Sequence, residues 1–109
     1  MTPEGRVKAK VNKRLDGLKP HCYRFMPVQN GMGAPALDYY GCFVGTFFAV
    51  ETKAPGGRPT PRQEHTMRTI YKAGGLVFVV SNDTDIDYLV RCLEDQREYL
   101  FLNATGLHP

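Results

Sequence analysis

The chain has 109 residues, 42% of them hydrophobic and 23% charged, with a formal net charge of +3. That length suits one domain spanning residues 1–109, and the balance of residue types excludes a disordered chain. No apolar run reaches the roughly 18 residues that a bilayer crossing needs, and the N-terminal MTPEGRVKAK lacks the apolar segment of a signal peptide. Cys22, Cys42 and Cys92 have no CxxC spacing, which argues against a disulfide framework or finger-type zinc. A soluble protein of the reducing cytoplasm with no membrane partner, its thiols buried and inert, is expected.

Thr2-Pro3-Glu4 opens a first helix, with Thr2 as N-cap and Pro3 at the first helical position. Val7, Val11, Leu15 and Leu18 recur at helical spacing, Glu4 extends their stripe, and Pro20 ends the helix. Residues 21–28 read as a short strand, and QNGMGAP (29–35) as a loop. A hairpin follows, from Leu37 to Cys42 and from Thr46 to Lys53, with its turn near Phe43-Val44-Gly45. After the irregular APGGRPT comes a second helix start, where Thr60-Pro61-Arg62-Gln63 combines N-cap, first-turn proline and capping-box glutamine. Met67, Ile70 and Tyr71 form its expected buried face, and Gly74-Gly75 stop it. Leu76 to Val80 is a continuous apolar run, as in a strand covered on both faces. A third helix is expected over Asp85 to Arg97, with Tyr99 to Leu102 as a final edge strand. The order is α-β-β-β-α-β-α, an α/β (α+β) fold with a mixed central sheet flanked by helices.

Charge is unevenly spread. Basic side chains crowd residues 1–30 and 51–75, while residues 82–99 are acidic. A basic front and an acidic back suit a polyanionic ligand such as nucleic acid.

Alternation along the second hairpin strand puts Phe47, Ala49, Glu51 and Lys53 on one face, so Glu51 and Lys53 are neighbours about 6.6 Å apart. A two-residue turn at Val44-Gly45 sets Asp38 directly opposite Glu51, and a three-residue turn, which better suits a glycine at its last position, shifts the register by one. Either way the two carboxylates meet across the hairpin, where they repel unless a cation or a proton lies between them. A hard divalent ion, Mg²⁺ or Mn²⁺, is the natural occupant, with the Thr52 backbone carbonyl as a further oxygen ligand. Lys53 is then placed to meet a phosphate or to orient the attacking water. Arg58 and Arg62 flank the Gly-rich loop beside Lys53 and are candidates for phosphate contacts with DNA.

Asp38…Glu51-Thr52-Lys53 matches the PD-(D/E)XK nuclease motif. The wider run NGMGAPALDYYGCFVGTFFAVETKAPGGRPTPRQ…AGGLVFVV resembles the VRR-NUC (virus-type replication-repair nuclease) branch of that superfamily, and the resemblance extends from Glu4 to about Leu89. Members of the branch often carry proline immediately before the motif aspartate, where Leu37 stands here. The resemblance implies a restriction-endonuclease-like fold, Asp38 and Glu51 as metal ligands and Lys53 as the catalytic lysine. It also implies roles for Gln63, matching a glutamine on the helix after the motif, and for Glu4, matching an acidic residue on the first helix. The activity implied is a Mg²⁺- or Mn²⁺-dependent, structure-selective deoxyribonuclease, acting as a homodimer on branched DNA such as four-way (Holliday) junctions. A paired interface from the third helix or from Tyr99 to Leu102 is expected. The competing expectation is a non-catalytic nucleic-acid-binding module of the same fold, which an intact Asp38, Glu51 and Lys53 disfavours.

Overall fold

The computed structural model describes residues 1–29 and 36–105. The element order is α1 (Pro3–Asp16), β1 (Cys22–Phe25), β2 (Tyr39–Phe43), β3 (Thr46–Thr52), α2 (Pro61–Lys72), β4 (Leu76–Val80) and α3 (Asp83–Thr105). The strands form one mixed sheet in the order β1-β2-β3-β4. The first three are antiparallel neighbours, and β4 runs parallel to β3 with α2 as the crossover. Most of the expected loop over 29–35 lies outside the described residues.

The helix starts form where their capping chemistry puts them. The Thr2 side chain accepts from the Gly5 N–H, and Thr60 makes a complete capping box with Gln63. The hairpin turn is the two-residue kind, with Phe43 paired to Thr46 and both Val44 (φ 48°) and Gly45 (φ 83°) left-handed. Glycine takes that conformation without penalty, whereas the β-branched Val44 takes it against its preference.

One face of the sheet carries the core. Val7, Val11 and Leu15 of α1 and Ile86, Leu89 and Leu93 of α3 close over Cys22, Tyr39, Phe43, Phe48, Val50, Phe78 and Val80. Gly41 lets the Phe48 ring lie against the backbone of β2, since a Cβ there overlaps that ring and the Tyr23 carbonyl. The opposite face is only partly covered, by α2, with Ile70 near Phe47 and Gly75.

Several expectations are corrected by this arrangement. α2 has no buried residue, and Tyr71 points into solvent. Val79 is exposed, so β4 is not covered on both faces. Cys42 is exposed and Cys92 half-buried, leaving only Cys22 as a buried thiol. Tyr99 to Leu102 is not an edge strand but the continuation of α3, because neither glycine nor proline interrupts residues 82–105. Their side chains, and any interface they make, lie outside the described residues. The basic front and acidic back partly neutralise each other, Lys10 pairing with Asp83 at 2.9 Å and Arg14 with Asp87 at 2.6 Å. Among the described residues, no helix is long and apolar enough to cross a membrane.

Candidate active site

The two-residue turn decides the register. Tyr39 pairs with Val50, so Asp38 falls opposite Glu51 at the end of the sheet where β2 begins and β3 stops. Asp38 stands just outside the strand and turns its carboxylate onto Thr52, whose Oγ1 donates to Asp38 Oδ2 at 2.6 Å and whose N–H donates to the same oxygen at 2.9 Å. Thr52 is fully buried, and this bond satisfies its hydroxyl. In a strand the N–H and C=O of one residue point to the same side. The Thr52 carbonyl therefore also faces the Asp38 side of β3.

Glu51 is 2% exposed. Gln63 Nε2, from the first turn of α2, donates to Glu51 Oε2 at 3.0 Å, and Lys53 Nζ lies 3.6 Å from the same oxygen. The capping box fixes that glutamine, because its Oε1 accepts from the Thr60 N–H at 2.9 Å while its amide reaches Glu51. One side chain thus serves both as helix cap and as brace for the carboxylate. Glu51 Oε1 is buried with no hydrogen-bond partner among the described residues. Burial, reinforced by the negative charge of Asp38 and offset by the Lys53 ammonium and the nearby Asp38 backbone N–H, pushes the Glu51 carboxyl from its ordinary 4.5 up to about 7.

Each carboxylate is thus half committed. Donors of the protein hold Asp38 Oδ2 and Glu51 Oε2. The remaining oxygens, Asp38 Oδ1 and Glu51 Oε1, accept no hydrogen bond among the described residues. A buried acceptor without a donor costs about 1–3 kcal/mol and calls for a ligand. Among the described residues no group of three or more His, Cys, Asp or Glu is gathered. Two carboxylate oxygens and one backbone carbonyl nevertheless fit Mg²⁺ or Mn²⁺, since ions of this kind complete their shells with water and substrate phosphate oxygens.

Asp38, Glu51, Thr52, Lys53 and Gln63 are brought together. Glu4 sits half-buried on the first turn of α1 and makes no hydrogen bond or ion pair among the described residues. Arg58 and Arg62 are exposed on the loop and the first turn of α2. His65 is exposed on α2. Sequence reasoning missed Lys8, whose Nζ lies 3.6 Å from Asp38 Oδ1. The available signal was its position one helical turn after Glu4, on the same flank of α1. It also missed the Thr52 hydroxyl, which alternation sends to the face opposite Glu51.

No family model matches the sequence, and no curated protein matches it. A solved structure described as a VRR_NUC domain is similar at a TM-score of 0.71 and 27% identity, over 84% of this chain and 97% of that one. In motif and in fold alike, the chain resembles the VRR-NUC domains of the PD-(D/E)XK superfamily and is a nuclease-type domain.

Proposed function

We propose that this chain is a metal-dependent, structure-selective DNA endonuclease, hydrolysing phosphodiester bonds in branched DNA such as four-way junctions. The observation that carries the reading is the pair of half-committed carboxylates beside Lys53 at the open end of a sheet. Asp38, Glu51 and the Thr52 carbonyl are the residues that would hold Mg²⁺ or Mn²⁺. Bound there, the ion supplies polarisation of the phosphoryl oxygen and a lower pKa for an attacking water.

The chain's own groups do the rest. Gln63 and Thr52 hold the carboxylates in one orientation, so no rearrangement is needed at the moment of reaction. Lys53 is mostly buried, and its ammonium is positioned to neutralise charge building on the phosphate or to orient the water. Arg58 and Arg62 carry positive charge along the exposed rim, where they contact backbone phosphates without reading bases. Glu4 lies one helical turn before Lys8, the α1 residue beside Asp38, and would contribute a further negative charge. Arg58 and Arg62 meet phosphates, which carry no sequence information, so DNA shape and phosphate position govern selection.

Paired incisions across a junction need two sites related by a twofold axis, and C₂ dimers are the commonest oligomers. The open face of the sheet, where Tyr23, Phe25 and Phe47 are exposed, supports a homodimer. The test is a panel of four-way junction, flap and linear duplex DNAs with Mg²⁺, Mn²⁺ or chelator, both strands resolved, beside light scattering at micromolar protein. A dimeric mass with paired nicks on junctions is expected. A monomer without preference for junctions overturns the junction reading, and tight binding without any cleavage points to a binding module.

A further inference from the structure

Asp38 Oδ1, the oxygen that Thr52 leaves uncommitted, already faces a cation. Lys8 Nζ lies 3.6 Å away, and its side chain is 33% exposed against 12% for Asp38. The contact is an ion pair beyond hydrogen-bond length, so the ammonium is held by charge rather than by a directed bond. The backbone beneath it is anchored. The buried Tyr39 hydroxyl lies 2.7 Å from Asn12 Oδ1 and 3.2 Å from the Lys8 carbonyl, tying this turn of α1 over the start of β2. Helix and strand are thus fixed, while the lysine stem remains free to swing toward solvent.

The two half-committed carboxylates differ in this respect. Among the described residues Glu51 Oε1 has no hydrogen-bond partner, whereas Asp38 Oδ1 is shared with an ammonium. A divalent ion approaching Asp38 meets that positive charge and competes with it. A DNA phosphate arriving at the same end of the sheet offers the ammonium another anion. We propose that Lys8 is a positioning residue that occupies Asp38 before the metal arrives and passes to a DNA phosphate on substrate binding, so that metal loading is coupled to DNA binding. The proposal rests on the metal-site reading above.

The test is calorimetric binding of Mn²⁺ alone, without DNA, to wild type, Lys8→Met, Lys8→Arg and Asp38→Ala. Circular dichroism checks that each is folded. Lys8→Met should bind Mn²⁺ about three- to tenfold more tightly than wild type, the scale expected for removing one partly exposed competing charge. Lys8→Arg should restore the wild-type affinity. In excess chelator, Lys8→Met should bind duplex DNA more weakly and with a shallower salt dependence. Equal or weaker Mn²⁺ binding by Lys8→Met, while Asp38→Ala loses it, overturns the role of Lys8 and leaves the metal site standing. Wild type and Asp38→Ala binding Mn²⁺ with the same measurable affinity, or Lys8→Met failing to bind it, overturns the metal site and this inference with it.

Discussion

Replacing Glu51 by glutamine should stabilise the metal-free protein at alkaline pH and do little at acidic pH. The carboxyl is raised from 4.5 to about 7, chiefly by burial and then by the charge of Asp38. Below pH 4.5 it is neutral in both folded and unfolded chains, and its ionisation has no effect on stability. Between 4.5 and about 7 the unfolded chain releases the proton that the folded chain keeps, so stability falls as pH rises. Above about 7 the full penalty stands, and a shift of this size corresponds to ~3 kcal/mol. Glutamine abolishes the penalty but brings an amide that lacks a full set of partners, costing ~1 kcal/mol or more. The net gain at pH 8 is then about 2 kcal/mol, against none at pH 5. Urea denaturation in excess chelator measures it, the midpoint at pH 8 moving up by roughly 1–2 M for a typical slope. A gain of the same size at both pH values, or a loss at pH 8, would refute the buried-charge argument.

Other perturbations separate fold from site. Val44→Asn should stabilise by about 1 kcal/mol in urea denaturation, because asparagine tolerates the left-handed first turn position better than valine; an unchanged midpoint contradicts the strain assigned to Val44. Gln63→Ala and Thr60→Ala each weaken the α2 cap, at about 1 kcal/mol. Only Gln63→Ala removes the donor from Glu51 Oε2, so it alone should slow cleavage, by tenfold or more, and equal rates for the two variants rule out the bracing role. The Arg58→Ala, Arg62→Ala double variant should flatten the slope of log affinity against log salt by about 2, and an unchanged slope removes both from the phosphate path.

Local chemistry was legible where it resides in a few adjacent residues. Thr60, Pro61 and Gln63 announce the start of α2, and either turn length near Val44-Gly45 brings Asp38 beside Glu51, although the three-residue turn that Gly45 favours is not the one that forms. Alternation then puts Lys53 on the side of Glu51, and the helical period aims Gln63 at the sheet end. What was not legible depends on how much of each element its neighbours cover. The spacing of Met67, Ile70 and Tyr71 identifies a helix face, but α2 leaves Tyr71 in solvent. The run Leu76 to Val80 reads as doubly buried although the face bearing Val79 is only partly covered. Lys8 is separated from Asp38 by thirty positions, and only the packing of α1 over β2 reveals the pair. The basic and acidic halves likewise read as opposed surfaces until α1 and α3 are seen side by side.

On the proposed function, the Asp38, Glu51 and Lys53 cluster hydrolyses DNA with a divalent ion. Single-turnover cleavage of a four-way junction tests it most directly, comparing wild type in Mn²⁺, wild type in excess chelator, and folded Asp38→Ala and Lys53→Ala in Mn²⁺. Cleavage is expected in the first case alone, with activity recovered when Mn²⁺ is restored in excess over the chelator. Undiminished cleavage in chelator, or by either variant, would contradict it.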